Sequence, residues 1–134
     1  MSERTEIPRR EWPVFCDGFT RQHHGWRVSL ELADTAELER AGGGVVHRLA
    51  HDLTFQGITE ERDQGEAALS ITVRDGARHV THWVRVPAHL FSEIEPNGAH
   101  RGLRIDAAGG ESVLIRFRAP ARPETLDGIA AAER

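Results

Sequence analysis

The residues with the widest chemical range in this chain of 134 residues are its eight histidines. They are His23, His24, His47, His51, His79, His82, His89 and His100. A zinc site needs three or four converging ligands, and alternation along the predicted strands places only His51 and His82 together on an inner face, with no carboxylate beside them. We therefore predict His51 and His82 as ligand-binding candidates and assign no metal ligands. The simpler interpretation is a pair of partly buried, neutral imidazoles, each hydrogen-bonded to backbone or to an acid.

Nucleophilic catalysis has little support in the sequence. Cys16 falls on the apolar stripe of a predicted helix, where a small buried thiol is inert unless a positive group and solvent access activate it. His23 lies seven residues further on, about 10 Å along a helix, which is too far for a direct thiol–imidazole pair. The sequence contains no Gly-x-Ser-x-Gly and no His-Glu-x-x-His motif. We therefore predict no catalytic residue and no cofactor, and a non-catalytic role is favoured over an enzyme.

A candidate interaction surface lies at the corner between the first predicted helix and the strand that follows it. The run from Arg21 to Trp26 combines a guanidinium, an amide, two imidazoles and an indole. Tryptophan and arginine are the residues most enriched at binding hot spots. The predicted surface consists of Arg21, His23, His24, Trp26 and, on the sheet, Trp83. The alternative is that Trp26 is a core residue and that the two histidines only cap the helix, where a partly protonated imidazole suits the dipole.

The elements that must position these residues are short strands between residues 67 and 118. Apolar residues recur there at every second position, and the strands are separated at Asp75-Gly76, Pro87, Asn97-Gly98 and Gly109-Gly110. Such alternation turns one set of side chains to each face of a sheet, and glycine or asparagine supplies the positive φ that tight hairpins need. The pattern predicts an antiparallel meander with an aliphatic inner face. The outer face is expected to be mostly solvated, apart from Trp83, Phe91 and Leu114.

The hairpins can be interpreted at the level of register. Two-residue turns at Asp75-Gly76 and Asn97-Gly98 set the first two hairpins, and matching the apolar faces sets the third. In the last hairpin, the apolar residues of the two strands lie on the same face only if the loop has an odd number of residues. We expect a glycine at positive φ in this loop. Three cross-strand pairs follow: Ile71 with Val80, Leu90 with Ile105, and Ile105 with Val113.

The N-terminal part of the chain predicts one amphipathic helix. Trp12, Phe15, Cys16 and Phe19 recur at i, i+3, i+4 and i+7, which makes a single apolar stripe on a helix that begins near Arg9 or Arg10. Pro13 is tolerated because it falls in the first turn, and Gly25 ends the helix. We expect this helix to pack on the sheet, either over the outer aromatic residues or over the open mouth of the core.

The connecting region predicts further strands and one short helix. Residues 26–32 alternate as a strand with one buried face, and the Asp34-to-Glu37 spacing is that of a capping box at the start of a helix of about two turns. Gly42 to Gly44 is a flexible connector, because no Lys-Ser or Lys-Thr follows it as in a phosphate-binding loop. Residues 45–58 form another strand, with a bulge at Gly57 where the apolar parity changes.

These elements predict an α+β domain. Its N-terminal amphipathic helix packs on a strongly bent antiparallel meander of six to seven strands, with closure into a small barrel as the alternative. Residues 1–7 are expected to be frayed, residues 8–118 to form a single domain, and residues 119–134 to form a flexible or weakly helical tail, because Pro120 and Pro123 interrupt a strand.

Composition restricts the location and the partners. A single cysteine excludes an internal disulfide framework and agrees with a reducing compartment, so we expect a cytoplasmic protein. No apolar run is long enough to cross a membrane, and the first ten residues lack a signal-type segment. The formal net charge of −4 disfavours nucleic acid as a partner. All 17 basic residues are arginine and tyrosine is absent, which indicates codon usage in a G+C-rich genome.

Several stretches resemble a small bacterial domain family of unknown function. They are Glu6-Ile7-Pro8-Arg9-Arg10-Glu11-Trp12-Pro13, Arg21-Gln22-His23, Gly25-Trp26, His79-Val80-Thr81-His82 and Leu114-Ile115-Arg116-Phe117-Arg118. The likeness extends over about residues 6–118, with residues 34–46 as a variable insert, and it implies no activity, cofactor or catalytic residue.

The leading functional hypothesis is a non-catalytic cytoplasmic module that binds a protein partner or pairs with itself. The alternative is a small-molecule or metal-binding domain that uses the inward histidines of the sheet.

Overall fold

A computed structural model describes residues 3–40 and 46–121 of the chain; the side chains of residues 3, 46–51, 63 and 119–121 lie outside that description. The helices are a 3-10 turn at Arg9–Glu11, α1 at Trp12–His23 and α2 at Thr35–Leu38. The strands are β1 (Glu3–Glu6), β2 (Arg27–Asp34), β3 (Val46–Asp63), β4 (Glu66–Asp75), β5 (Arg78–Arg85), β6 (Pro87–Ile94), β7 (His100–Ala107) and β8 (Glu111–Ala121).

The strands form one antiparallel sheet. Its order is β1-β6-β7-β8-β2-β3-β4-β5, so β1 and β5 are its two edges and the sheet is not closed into a barrel. The predicted α+β class with an antiparallel meander is confirmed. The described part holds eight strands because residues of the segment expected to fray form β1, in which Glu3 pairs with Ile94 and Glu6 with Phe91.

Two of the three predicted cross-strand pairs are confirmed. Leu90 lies opposite Ile105, and Ile105 lies opposite Val113. In the loop between β7 and β8, Gly110 has a φ of 99°, as predicted.

The predicted β4–β5 register is wrong, because the turn lies one residue later in the chain than predicted. Ile71 pairs with His82, and Asp75 pairs with Arg78, because the two loop residues are Gly76 and Ala77. Gly76 takes the positive φ of 62° at the first loop position, where a type II′ turn requires glycine. Moving a turn by one residue changes the partners but preserves the parity, so Leu69, Ile71, Val73 and Val84 are still buried on the inner face, while Val80 is 38% exposed.

The core lies on the inner face of the sheet and includes helix α1. Trp12, Cys16 and Phe19 belong to the same buried cluster as the inward residues of the strands. The Phe19 ring contacts two inward aromatic rings, with centroid distances of 5.5 Å to Phe55 and 5.8 Å to Phe117. Of the two surfaces considered for the helix, it covers the open core, and Trp83 on the outer face remains exposed.

A threonine in the last turn of α1 joins the helix to β3. The Thr20 hydroxyl accepts a hydrogen bond from the Ile58 N–H at 3.0 Å and donates one to the Ile58 carbonyl at 3.1 Å. The neighbouring Gly57 permits this approach, since an added Cβ would lie 3.1 Å from the Thr20 methyl group. The register of β3 and β4 shifts between Phe55 and Gly57, which confirms the predicted bulge.

The outer face of β7 and β8 is not solvated as expected. Arg104, Asp106 and Ser112 are buried there, together with Leu114, which was expected to be an exception. Arg104 donates two hydrogen bonds to Asp106, at 2.8 and 3.2 Å, and a third to Glu39 at 3.1 Å. The chain after β2 therefore folds over this face and is held there by charge-assisted hydrogen bonds.

Helix α2 begins with the predicted N-cap, but it is shorter than predicted. The Asp34 carboxylate accepts a hydrogen bond from the Glu37 N–H at 3.2 Å, as an N-cap does. The helix that follows has four residues, one turn instead of two. Gly42 to Gly44 lies outside the described residues. The longest helix of the described segments has 12 residues, and none is long and apolar enough to cross a membrane.

Strand β8 is longer than predicted. It runs to Ala121, which pairs with His100, and so includes Pro120. A proline is tolerated close to a strand end, where a missing N–H removes no more than one ladder bond. The tail expected from residue 119 is thus partly strand, and residues 122–134 lie outside the described part.

Gly102 gives a direct test of the β7–β8 pairing. Its φ is 152°, and an added Cβ would lie 1.8 Å from the Ile115 carbonyl oxygen. We expect Gly102→Ala to lower the free energy of unfolding by about 3 kcal/mol or more, because backbone of β8 must move. Gly109→Ala is the matched control, since nothing lies within 4 Å of its added Cβ. Urea unfolding followed by circular dichroism measures both, and equal midpoints for the two variants would contradict this register.

Candidate functional site

Strand β5 is an edge of the sheet along its whole length. It pairs with β4 and, among the described strands, with no other. Val84 is its only buried residue and His82 is half-buried, while the other six are exposed. Two of the exposed side chains are large and apolar: Trp83 is 39% exposed and Val80 is 38% exposed. An edge strand of eight residues that carries exposed apolar groups is the most conspicuous binding feature of the described surface.

The direction of the β5 backbone groups follows from one hydrogen bond. The Val86 N–H donates to the Ala67 carbonyl at 3.1 Å, so residue 86 faces β4. In an antiparallel pair, residues that bond to the partner strand alternate with residues whose N–H and C=O point away. Counting back by two, residues 84, 82 and 80 also bond to β4. His79, Thr81 and Trp83 therefore direct their N–H and C=O groups toward the open edge.

The open edge ends at a corner. Val86 has a φ of 48°, which is rare for a β-branched residue, and it precedes Pro87. Its carbonyl accepts a hydrogen bond from the Ala108 N–H at 2.9 Å, so this end of the edge is occupied. The chain then continues into β6, which lies near the opposite end of the strand order. Within residues 3–40 and 46–121, the segment from His79 to Trp83 thus has no strand paired to its outer edge.

The other edge is protected in the way that natural sheets protect edges. Strand β1 has four residues, three of them charged. The Arg4 guanidinium lies over the Phe91 ring at 4.8 Å from its centroid, and the Glu6 carboxylate lies 2.6 Å from His89 Nδ1. Short edge strands that carry charged side chains resist pairing with other strands. The two edges therefore differ, and β5 is the longer of the two, with exposed apolar side chains.

The structure does not bring the two predicted ligand histidines together. His82 pairs with Ile71, which pairs with Ile58, and His51 precedes Ile58 by seven residues along β3. At about 3.3 Å per residue, the two positions are about 23 Å apart along the strand direction. The His51 side chain lies outside the described residues. Burial lowers the pKa of His82, and the charge of Glu111 opposes that shift.

The described side chains do not form a metal centre. No group of three or more histidine, cysteine, aspartate or glutamate residues in the described part of the chain is placed to hold an ion. The alternative hypothesis of a metal site on the inner face therefore gains no geometric support from these residues.

The predicted interaction surface divides between the core and the solvent. Arg21 and His24 are exposed, and Arg21 lies 3.4 Å from the carboxylate of Asp17 one turn earlier. His23 and Trp26 are buried, so neither can contact a partner directly. The buried stripe of α1 includes Trp12, Cys16, Phe19 and His23. Extending the apolar stripe by four residues from Phe19 would have placed His23 in the core.

His23 forms a buried imidazole pair with His100, which sequence reasoning missed. His23 Nδ1 lies 2.9 Å from the Phe19 carbonyl, and because a carbonyl only accepts, this nitrogen carries the proton. His23 Nε2 then accepts a hydrogen bond from His100 Nδ1 at 3.3 Å. The two histidines are 77 residues apart in sequence, and their contact depends on the bulge before Gly102. No local sequence pattern therefore predicts it.

The surroundings keep the His23 imidazole neutral. Its ring is fully buried and lies 4.2 Å from the Phe19 ring and 4.7 Å from the Phe117 ring, between centroids. Burial lowers the pKa of His23 to about 4; the hydrogen bond to Phe19 opposes the shift, and charge on His100 adds to it. Burial also lowers the pKa of His100. An imidazole that is buried and neutral at neutral pH packs in the core and is not placed for acid–base chemistry.

The Cys16 thiol is likewise a core group. It is buried, and burial raises its pKa to about 11, so the reactive thiolate is not formed at neutral pH.

Comparison with protein families matches residues 3–126 to the model of a family of unknown function, DUF5335. The chain belongs to this family. Neither the curated proteins nor the solved structures contain a significant match to the chain. Membership in DUF5335 therefore supplies no activity or ligand.

The buried imidazoles make the stability of this DUF5335 domain depend on pH. The unfolded His23 binds a proton below about pH 6.5 and the folded one only below about 4, so unfolding takes up a proton between these values. The contribution of neutral His23 to the free energy of unfolding is therefore fully present above about pH 6.5 and is lost as the pH falls toward 4. The shift corresponds to about 3 kcal/mol for His23, and His82 and His100 act in the same direction.

Urea unfolding at about pH 5 and at about pH 7.5 measures this dependence. We expect His23→Gln to reduce the slope of the profile between these values, because the variant lacks the buried imidazole with the most strongly lowered pKa, while His82 and His100 remain. His24→Gln replaces an exposed neighbour and should retain the parent slope, because the buried imidazoles stay in place. If His23→Gln and the parent lost stability equally on acidification, His23 would not be the group responsible.

Proposed function

We propose that this protein is a non-catalytic interaction module whose binding element is the open edge of β5. The observation that carries the proposal is the set of outward backbone groups of His79, Thr81 and Trp83, beside exposed Val80 and Trp83 side chains. An extended strand from another chain would add to the sheet here by backbone hydrogen bonds. The ligand is therefore a protein strand, from a different protein or from a second copy.

The side chains along the edge support strand addition. Backbone pairing supplies affinity, while alternate side chains of the edge supply specificity. Trp83 offers a large apolar surface that gains from being covered, and tryptophan is among the residues that contribute most at interfaces. The Thr81 hydroxyl lies 3.2 Å from that of Thr72 on β4, so its position beside the edge is defined.

The features expected of an enzyme receive less support. Cys16 and His23 are core residues with pKa values that keep them uncharged at neutral pH. A cavity of about 330 Å³ is lined by Arg9, Glu60, Glu61, Arg62 and Ala67. Its Arg9 and Glu60 pair with each other, and its Glu61 accepts a hydrogen bond from Ser70. Its Arg62 donates a hydrogen bond to the Gly65 carbonyl at 3.1 Å, so each of its four charged side chains is already engaged near the ends of β3 and β4.

We place this module in the cytoplasm. A single cysteine that is buried as a free thiol suits a reducing compartment. The net charge of −4 favours protein over nucleic acid as the partner.

Site-specific photo-crosslinking in cells that produce the protein tests the proposal. A photoreactive phenylalanine analogue at position 81 should form covalent adducts with a protein or with a second copy, because this position faces the open edge. The matched control places the analogue at Thr5, an edge threonine of the short strand β1. Adducts at position 81 well above those at position 5 are expected. Equal or absent adducts at the two positions would contradict β5 as the binding element.

A further inference from the structure

We propose that the strand that occupies the β5 edge belongs to a second copy of this chain, paired antiparallel about a twofold axis at Thr81. This inference rests on the proposed function of the edge and specifies its partner. It follows from which side chains each possible register would place opposite one another.

The backbone restricts the possible registers to a few. Residues that face each other in an antiparallel pair have the same hydrogen-bonding direction, so outward residues of one copy must lie opposite outward residues of the other. The outward residues of the accessible segment are His79, Thr81 and Trp83. A twofold axis must then pass beside a residue and not between two residues. Within the accessible segment, the axis can lie at Val80, Thr81 or His82.

An axis at Thr81 makes the edge self-complementary. The facing pairs are Thr81 with Thr81, His79 with Trp83, and Val80 with His82. Aromatic pairs and threonine pairs directly across antiparallel strands are stabilising. The exposed surfaces of Trp83 and Val80 are both covered, and each of the three outward residues exchanges two backbone hydrogen bonds, about six in total. Arg78 faces Val84, so no like charges meet.

An axis at His82 or at Val80 makes the edge less self-complementary than an axis at Thr81. An axis at His82 places His79 opposite Arg85, and it extends the pairing to Val86, whose carbonyl already accepts a hydrogen bond from Ala108. An axis at Val80 places Trp83 opposite Ala77, which lies in the loop between β4 and β5. The Trp83 surface would then remain without an aromatic partner.

The register predicts which cysteine variants crosslink. Thr81 and its copy would form a hydrogen-bonded pair with Cα atoms about 5.5 Å apart, within the range of a disulfide. We expect Thr81→Cys to form disulfide-linked dimers under mild oxidation. His79→Cys and Trp83→Cys should crosslink when mixed and not separately. Val14→Cys is the control at an exposed position on α1, and native Cys16 is buried and should not react.

Charge substitution at the axis tests the symmetry without oxidation. In Thr81→Arg two guanidinium groups face each other, and in Thr81→Glu two carboxylates do, so each variant alone should associate about tenfold more weakly than the parent. Mixing the two variants should restore a heterodimer. Sedimentation velocity of the purified full-length chain, from about 1 to about 200 µM, measures all four samples. Circular dichroism verifies that the variants are folded.

The outcomes separate this inference from the proposed function. A concentration-dependent parent dimer, with crosslinking at position 81 and charge rescue in the mixture, supports a second copy at the edge. A parent that stays monomeric over the whole range, or a dimer that neither charged variant weakens, overturns it. Photo-crosslinks from position 81 to a different protein would then leave β5 as a binding element whose partner is not itself.

Discussion

The packing of α1 on the inner face of the sheet is the constraint on which the rest of the structure depends. A helix with its side chains is about 10–12 Å wide, whereas a closed barrel of about eight strands has an interior that side chains alone fill. Because Trp12, Cys16 and Phe19 occupy the core, the sheet cannot close around them. The Thr20 hydroxyl holds the helix against β3 at Ile58, and the bulge at Gly57 lets the strand curve past it.

An open sheet must have two edges, and this chain treats them differently. Strand β1 is short and charged, with Arg4 and Glu6 engaged by neighbouring side chains of β6. Strand β5 has twice as many residues, and the hydrogen bond from Ala108 to Val86 occupies only its end. The helix that fills the core thus accounts for the open strand, and the open strand accounts for the proposed interaction role.

Side-chain parity was sufficient to predict the antiparallel meander, because burial of one face rejects every register that is wrong by one residue. It predicted Leu90 opposite Ile105 correctly and misplaced Ile71 by a shift of two, which parity does not detect. The candidate site was less accessible. Strand order decides which strand is an edge, and neither that order nor the contact between His23 and His100 is present in a local pattern. The sequence pattern put His51 and His82 on one face, but seven residues separate their positions along the sheet, because parity gives the face and not the position along the strand.

Amide hydrogen exchange along β5 tests the open edge most directly. The measurement requires a dilution at which the chain is monomeric, with residues resolved by nuclear magnetic resonance. The account predicts alternation: the N–H groups of His79, Thr81 and Trp83 exchange rapidly, while those of Val80, His82 and Val84 are protected by β4. Uniform protection of all six amides in the monomer would show that another part of the chain covers the edge, and it would contradict the central claim.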